Sequence, residues 1–209
     1  MVPHIILGGI AGCLFAYFSC RVVGFGGNKL VTESLMKGVG YHDEANVTLV
    51  IAYPGDETRY FTPLMELLRM KSSDPEKRLK MSVLTLAPVK YDPGALQRII
   101  EMQGICRKYN MNCVVEYHPM NDQGAAFWKP RVLCDRIAEF MDEVNASHVF
   151  TFDKLGVDGN RARIALNQAV MELSSRTPSR HVWLLHTYEK VYNALPLFAT
   201  MKAAFTKLV

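Results

Sequence analysis

From Asn46 onward the chain alternates short apolar runs with stretches whose apolar residues recur at helical spacing. Residues 47–52 (VTLVIA) form a continuous apolar run closed by Tyr53-Pro54-Gly55-Asp56, the pattern of a strand covered on both faces. Residues 62–70 repeat apolar positions at helical spacing, and Ser72-Ser73-Asp74-Pro75 ends that helix. Residues 81–87 (MSVLTLA) read as a second strand, and 93–109 as a helix that Pro93 can open, since a first-turn N–H has no partner to lose. Residues 112–117 form a third strand. Residues 130–144 form an amphipathic helix with Val132, Ile137, Phe140 and Met141 on or near one face. Strands at 148–152 and 181–185 enclose a helix at 161–173. This strict alternation predicts an α/β fold: a Rossmann-like three-layer arrangement of a mostly parallel sheet with helices on both faces. Ligand sites in such sheets form where loops leave the carboxyl ends of the strands. That rule selects residues 53–57, 88–94, 118–128 and 153–163.

The N-terminus has a different pattern. Residues 5–20 carry no charge, somewhat short of the ~20 residues that cross a bilayer core. A cleaved signal peptide would need a positive leader, which MVPH does not offer. A soluble core helix would tolerate Gly8, Gly9 and Gly12 poorly, and a membrane helix tolerates them better. A transmembrane anchor fits best. Arg21, Lys29 and Lys37 follow it, so the positive-inside rule keeps the following domain in the cytosol. The expected organisation is an anchor at 1–25, a linker at 26–45 and one domain at 46–209. Two glycosylation sequons, at Asn46 and Asn145, abut predicted strands and read as chance matches.

Composition narrows the function classes. The net charge is +4 and no run of five basic residues occurs, so nucleic acid has no support as a partner. The five cysteines are odd in number and contain no CxxC pair, which predicts reduced, mostly buried thiols. The eleven methionines read as core filling.

Two of the selected loops carry a recognisable pattern. Leu49–Glu57 (LVIAYPGDE) resembles the segment of the zinc-dependent GlcNAc-phosphatidylinositol de-N-acetylases in which a strand runs into His-Pro-Asp-Asp-Glu. Thr151–Leu166 (TFDKLGVDGNRARIAL) resembles that family's Thr-Phe-Asp followed by Gly-Val-Ser-Gly-His, a variable residue and Asn-His. Arg98 and Glu101 fall where the family has a basic helix start. The resemblance covers residues 46–197 and implies a Rossmann-like sheet behind one N-terminal anchor at the endoplasmic reticulum membrane. It implies removal of acetate from GlcNAc-phosphatidylinositol in GPI-anchor synthesis, with zinc-activated water, a general base and an electrophile.

Carried over position by position, the resemblance puts Tyr53 where the family has its first zinc-ligand histidine, and Gly55 where it has the general-base aspartate. The second aspartate, a zinc ligand, is retained as Asp56, while Arg163 replaces the last histidine ligand. Asn160 and Ala162 replace two further polar residues. A catalytic zinc normally keeps three protein ligands, and Arg163 is a permanent cation. An Asp56–Arg163 ion pair is therefore expected in place of the metal, with no zinc or other cofactor held. The chain ends soon after Leu195-Pro196-Leu197, where the family typically continues, an expected loss of membrane or substrate contacts.

Other residues keep two readings. Glu57, Arg98 and Trp128 are candidates for contacting substrate. Arg98 equally suits a local pair with Glu101, and Trp128 equally suits the core. His118 is either a replacement ligand or a solvated loop residue, and His148 reads as a satisfied core histidine. The functional expectation is an inactive, membrane-bound homologue that binds GlcNAc-phosphatidylinositol, another inositol lipid or an active family member. The alternatives are a working deacetylase with a non-standard site and an unrelated α/β domain.

Overall fold

The apolar runs become strands β1 (Glu44–Ile51), β2 (Arg78–Thr85), β3 (Asn112–Val115), β4 (Ala146–Phe152) and β5 (His181–Leu185). They lie side by side in the order β3-β2-β1-β4-β5, with every pairing parallel. The helices are α1 (Asp56–Tyr60), α2 (Thr62–Ser72), α3 (Ala95–Tyr109), α4 (Pro130–Glu143), α5 (Gly156–Gly159) and α6 (Arg161–Arg176). This computed structural model describes residues 33, 35, 44–72, 78–86, 94–116 and 128–187. The chain divides into two compact units, residues 1–37 with 188–209, and residues 38–187; every element named here belongs to the second.

The central strand explains the layering. Val47, Leu49, Val50 and Ile51 of β1 are fully buried, as a strand covered on both faces requires. Val50, Leu84 and Val149 pack on one face against Leu133, Ile137 and Phe140 of α4 and Leu166 and Val170 of α6. The other face takes Phe61 against Phe152, with ring centroids 5.3 Å apart, and Met102 of α3 against the Thr85 hydroxyl. Four methionines (Met65, Met81, Met102 and Met141) are buried in these layers.

Strands β1, β2 and β4 begin earlier than their apolar runs. Glu44 and Asn46 pair in register with Arg78 and Lys80, so polar residues at the amino edge extend the ladder through their backbone while interrupting the hydrophobic signal. Helices α1 and α5 are single turns too short to show a periodicity. The order in which strands are added reverses at β1: β2 and β3 lie to one side, β4 and β5 to the other. The loops leaving β1 and β4 therefore flank the switch-point crevice where open α/β sheets bind ligands.

One expectation fails outright. Cys106 and Cys113 are joined by a disulfide, their Cα atoms 6.1 Å apart. Helix α3 stops at Asn110, held in the left-handed region at φ 52, and the reversal brings its last turn beside β3. A spacing of seven residues carries no recognised motif, so the pairing is visible only once the turn is formed. Cys134 is a buried free thiol, and burial pushes its pKa up. Of the sequon residues, Asn46 lies within β1 and Asn145 in the exposed turn before β4, at φ 49. Among the described residues no helix is long and apolar enough to cross a membrane; residues 5–20 lie outside them, as does His118.

Candidate functional site

The chain leaves β1 through a tight turn in which Asp56 N–H donates to the Tyr53 carbonyl at 3.1 Å. Gly55 sits at the apex with φ 101 and starts α1. A Cβ there would meet nothing within 4 Å, so backbone torsion rather than crowding makes glycine suitable. The turn places two consecutive acids, Asp56 and Glu57, in the interior at 4% and 1% exposure.

The second wall is the loop leaving β4. Asp153 accepts hydrogen bonds from Leu155 N–H (3.0 Å), Thr187 N–H (2.6 Å) and the Thr187 hydroxyl (2.7 Å), which ties the chain beyond β5 to the end of β4. Gly156 is at φ 56, and a Cβ there would come within 3.0 Å of Ile164. Val157 is held at φ 69, a cost of about 1–3 kcal/mol for such a residue, so this turn is imposed by its surroundings. Asn160 then caps α6, its Oδ1 accepting from Ala162 N–H (3.0 Å) and Arg163 N–H (3.2 Å). That is a structural task well suited to asparagine.

The two walls meet in one ion pair. Arg163 Nη2 donates to Asp56 Oδ1 at 2.8 Å and Nε to Oδ2 at 3.4 Å, and Tyr53 N–H also donates to Oδ2 at 3.1 Å. Both carboxylate oxygens are thus engaged. The third guanidinium nitrogen, Nη1, donates to Asp158 at 2.9 Å. The guanidinium carbon stands 4.7 Å from the centre of the Tyr60 ring and 5.3 Å from that of Phe152, so the cation also gains from two aromatic faces. Burial alone would pull the Arg163 pKa down; the hydrogen bonds and charge of Asp56 outweigh it, and the net shift is upward. Arg163 remains a fixed cation.

Glu57 is held by backbone donors. Its Oε2 accepts the Gly55 N–H at 2.7 Å. Burial raises its pKa; the backbone N–H donors of Glu57 and Gly55 oppose this, and the adjacent Asp56 charge adds to it.

Of the residues singled out from sequence, Tyr53, Gly55, Asp56, Asn160 and Arg163 come together at this crevice. Glu57 points inward to the turn backbone, which occupies it structurally. Trp128 lies in the core cluster with Leu86 and Leu133 and is 6% exposed, so the core reading of that residue holds and no open stacking face is presented. Arg98 is exposed on the first turn of α3, and Glu101 accepts its hydrogen bond from Gln97 at 2.9 Å. His148 is buried, stacked on His181 at 4.8 Å. Sequence reasoning gave no role to Tyr60, Phe152, Asp153 or Asp158, although Phe152 and Asp153 lie in the Thr-Phe-Asp resemblance. Asp153 carried one usable signal, an acid directly after an apolar strand at the carboxyl edge. Among the described residues no group of three or more His, Cys, Asp or Glu side chains is placed to hold a metal ion.

No family model matches the chain. A curated relative from Schizosaccharomyces pombe, described as a probable N-acetylglucosaminyl-phosphatidylinositol de-N-acetylase, is 25% identical over 166 residues, 78% of this chain. The match spans 60% of that relative, less than two thirds of its length. The N,N'-diacetylchitobiose deacetylase of Pyrococcus horikoshii superposes with a TM-score of 0.53 at 11% identity, over 84% of this chain and 76% of that one. A deacetylase of the teicoplanin biosynthesis pathway, in complex with teicoplanin, superposes with a TM-score of 0.50 at 13% identity, over 67% and 69% of the two chains. Likenesses at such identities establish the shared fold.

Proposed function

We propose that this chain, a homologue of the GlcNAc-phosphatidylinositol de-N-acetylases, is a catalytically inactive member of GPI-anchor biosynthesis. In this reading residues 5–20 anchor it in the endoplasmic reticulum membrane with the domain facing the cytosol. The crevice binds GlcNAc-phosphatidylinositol or another inositol lipid, or the surface engages an active family member, without hydrolysing the amide.

The observation that carries this reading is the occupancy of Asp56. Amide hydrolysis in this fold needs a metal-activated water, a base to take its proton and a positive centre for the oxyanion. The base position is Gly55, which has no side chain. The one retained ligand, Asp56, has its oxygens bonded to Arg163 and to Tyr53 N–H. A phenol and a guanidinium at the other two ligand positions do not complete a zinc site, so the residues present do not fit the metal.

The test uses the full chain purified in detergent. Zinc content, acetate release from GlcNAc-phosphatidylinositol and retention of that lipid are measured on one preparation. The expected result is no stoichiometric zinc and no acetate, with lipid retained. Stoichiometric zinc together with turnover overturns the proposal and restores a working deacetylase.

A further inference from the structure

The net charge of +4 is small, and among the described residues the two edges of the sheet differ in how far their cations are paired. In a parallel sheet, each helix that follows a strand begins at the carboxyl edge. Helices α3 and α4, of 15 and 14 residues, are each about 21 Å long and end beside the start of the next strand. Their first turns therefore share the carboxyl edge with the loops that build the Asp56–Arg163 crevice. Among the described residues this rim carries the exposed cations Arg59, Lys129, Arg131, Lys154 and Arg161. The exposed acids described in the first two turns of these helices and the loop after β4 are Glu101, hydrogen-bonded by Gln97, Asp135, paired with Arg176, and Asp158, which shares the single charge of Arg163 with Asp56. The opposite edge mixes signs: Glu139, Asp142 and Glu143 at the end of α4 are paired with Arg136 and Arg180, and the exposed Arg107 and Lys108 end α3.

Exposed apolar side chains follow the same division. Leu96 (67% exposed), Leu155 (52%) and Val132 (41%) are three of the six large hydrophobic residues exposed among the described ones. They occupy the first turn of α3, the loop after β4 and the first turn of α4. Two of them directly follow a cation, as Lys154-Leu155 and Arg131-Val132. Single apolar tips beside cations suit the boundary between headgroups and acyl chains, where each contributes separately. A protein interface would instead want a contiguous apolar centre depleted of charge.

The geometry points to a membrane-docking surface: the carboxyl rim of the sheet lies on an anionic phospholipid bilayer, with Leu96, Val132 and Leu155 entering the headgroup region and the surrounding cations holding lipid phosphates. The loops that carry Asp56 and Arg163 then lie next to the lipid surface. This deepens the proposed glycolipid reading by giving the site its bilayer-facing direction, and the docking itself requires no sugar.

The full chain is placed in nanodiscs of phosphatidylcholine alone or mixed with phosphatidylserine, with no glycolipid, and hydrogen exchange is followed by mass spectrometry. Segments 94–101, 128–133 and 153–162 are expected to exchange more slowly in the anionic discs, while 139–147 and 172–181 stay unchanged. The difference collapses in about 1 M salt, where screening acts over ~3 Å. Neutralising Arg131, Lys154 and Arg161 to glutamine weakens docking roughly fivefold per charge, and Leu155→Asp removes local protection in 153–162. Unchanged exchange at the amino edge verifies that the variants remain folded. Equal exchange in both disc types, or protection confined to the amino edge, overturns the docking surface. Failure of glycolipid retention with rim protection intact sinks the ligand reading alone.

Discussion

Arg163 and Asp56 are 6% and 4% exposed at the side chain, so each is the other's main substitute for water. Consider Arg163→Met, Asp56→Asn and the two together. Arg163→Met leaves a buried carboxylate with the Tyr53 N–H as its remaining bond. Asp56→Asn leaves a buried guanidinium whose surviving partner, Asp158, is 55% exposed. Breaking one side of a buried pair costs about 3–5 kcal/mol; the asparagine variant belongs at the lower end because Asp158 remains. In the double variant no net charge is stranded. The new side-chain amide at position 56 still accepts from Tyr53 N–H, and methionine fills the slot between Tyr60 and Phe152. Such apolar replacement is often near neutral, so about 1 kcal/mol is expected, mainly from the lost cation–aromatic contacts. The coupling energy should exceed about 3 kcal/mol, the top of the range for interacting residues. The assay is urea unfolding of the full chain followed by circular dichroism. For a unit the size of residues 38–187, each single variant should also lower Tm by roughly 6–20 °C. Single-variant costs that merely add up in the double variant would refute the pair as the structural centre of the crevice.

Glu57 gives a pH-dependent prediction. Its pKa is raised in the fold, so between the ordinary carboxyl value and the raised value the folded state binds a proton that the unfolded chain does not. Wild-type stability relative to Glu57→Gln should therefore fall as pH rises through that window and stay flat above it. Parallel stability curves for the two proteins from about pH 4 to 8, a span bracketing the carboxyl range, would contradict this. The disulfide tests topology: the cytosol-facing reading requires the bond that the structure shows to be open in intact cells, so alkylation before lysis should trap Cys106 and Cys113 as thiols, whereas an oxidised pair there would agree with the structure and place the domain in the lumen. Reducing the bond in the purified protein should cost about 2.5 kcal/mol in urea unfolding, the entropy of a loop this short; an unchanged midpoint would count against that estimate.

The sheet was legible because its central strands are continuous apolar runs bounded by turn residues. The ends were not, since Glu44, Arg78 and Lys80 contribute backbone pairing with side chains that look like loop. At the site, Asp56 and Arg163 were readable as partners by charge and by their place at two carboxyl-edge loops. What could not be read was everything set by the path of the loop itself. Asp158 reaches Arg163 only because residues 156–159 fold through positive φ values, and Asp153 meets Thr187 across 34 residues. The resemblance marks Asn160 only as standing where the family has a histidine, whereas its hydrogen bonds show it capping the start of α6. Resemblance marks a position, but hydrogen bonds decide its present task.

The tight seating of Arg163 also bears on how the chain could change over generations. A histidine introduced alone at position 163 would strand the carboxylate opposite it, and an acid introduced alone at position 55 would enter a turn at φ 101 that disfavours any side chain. Either of these first steps toward a metal centre thus costs folding stability before a complete ligand set is gained. On the proposed inactive reading the arginine would act as a ratchet, since building a metal site around Asp56 takes several simultaneous substitutions.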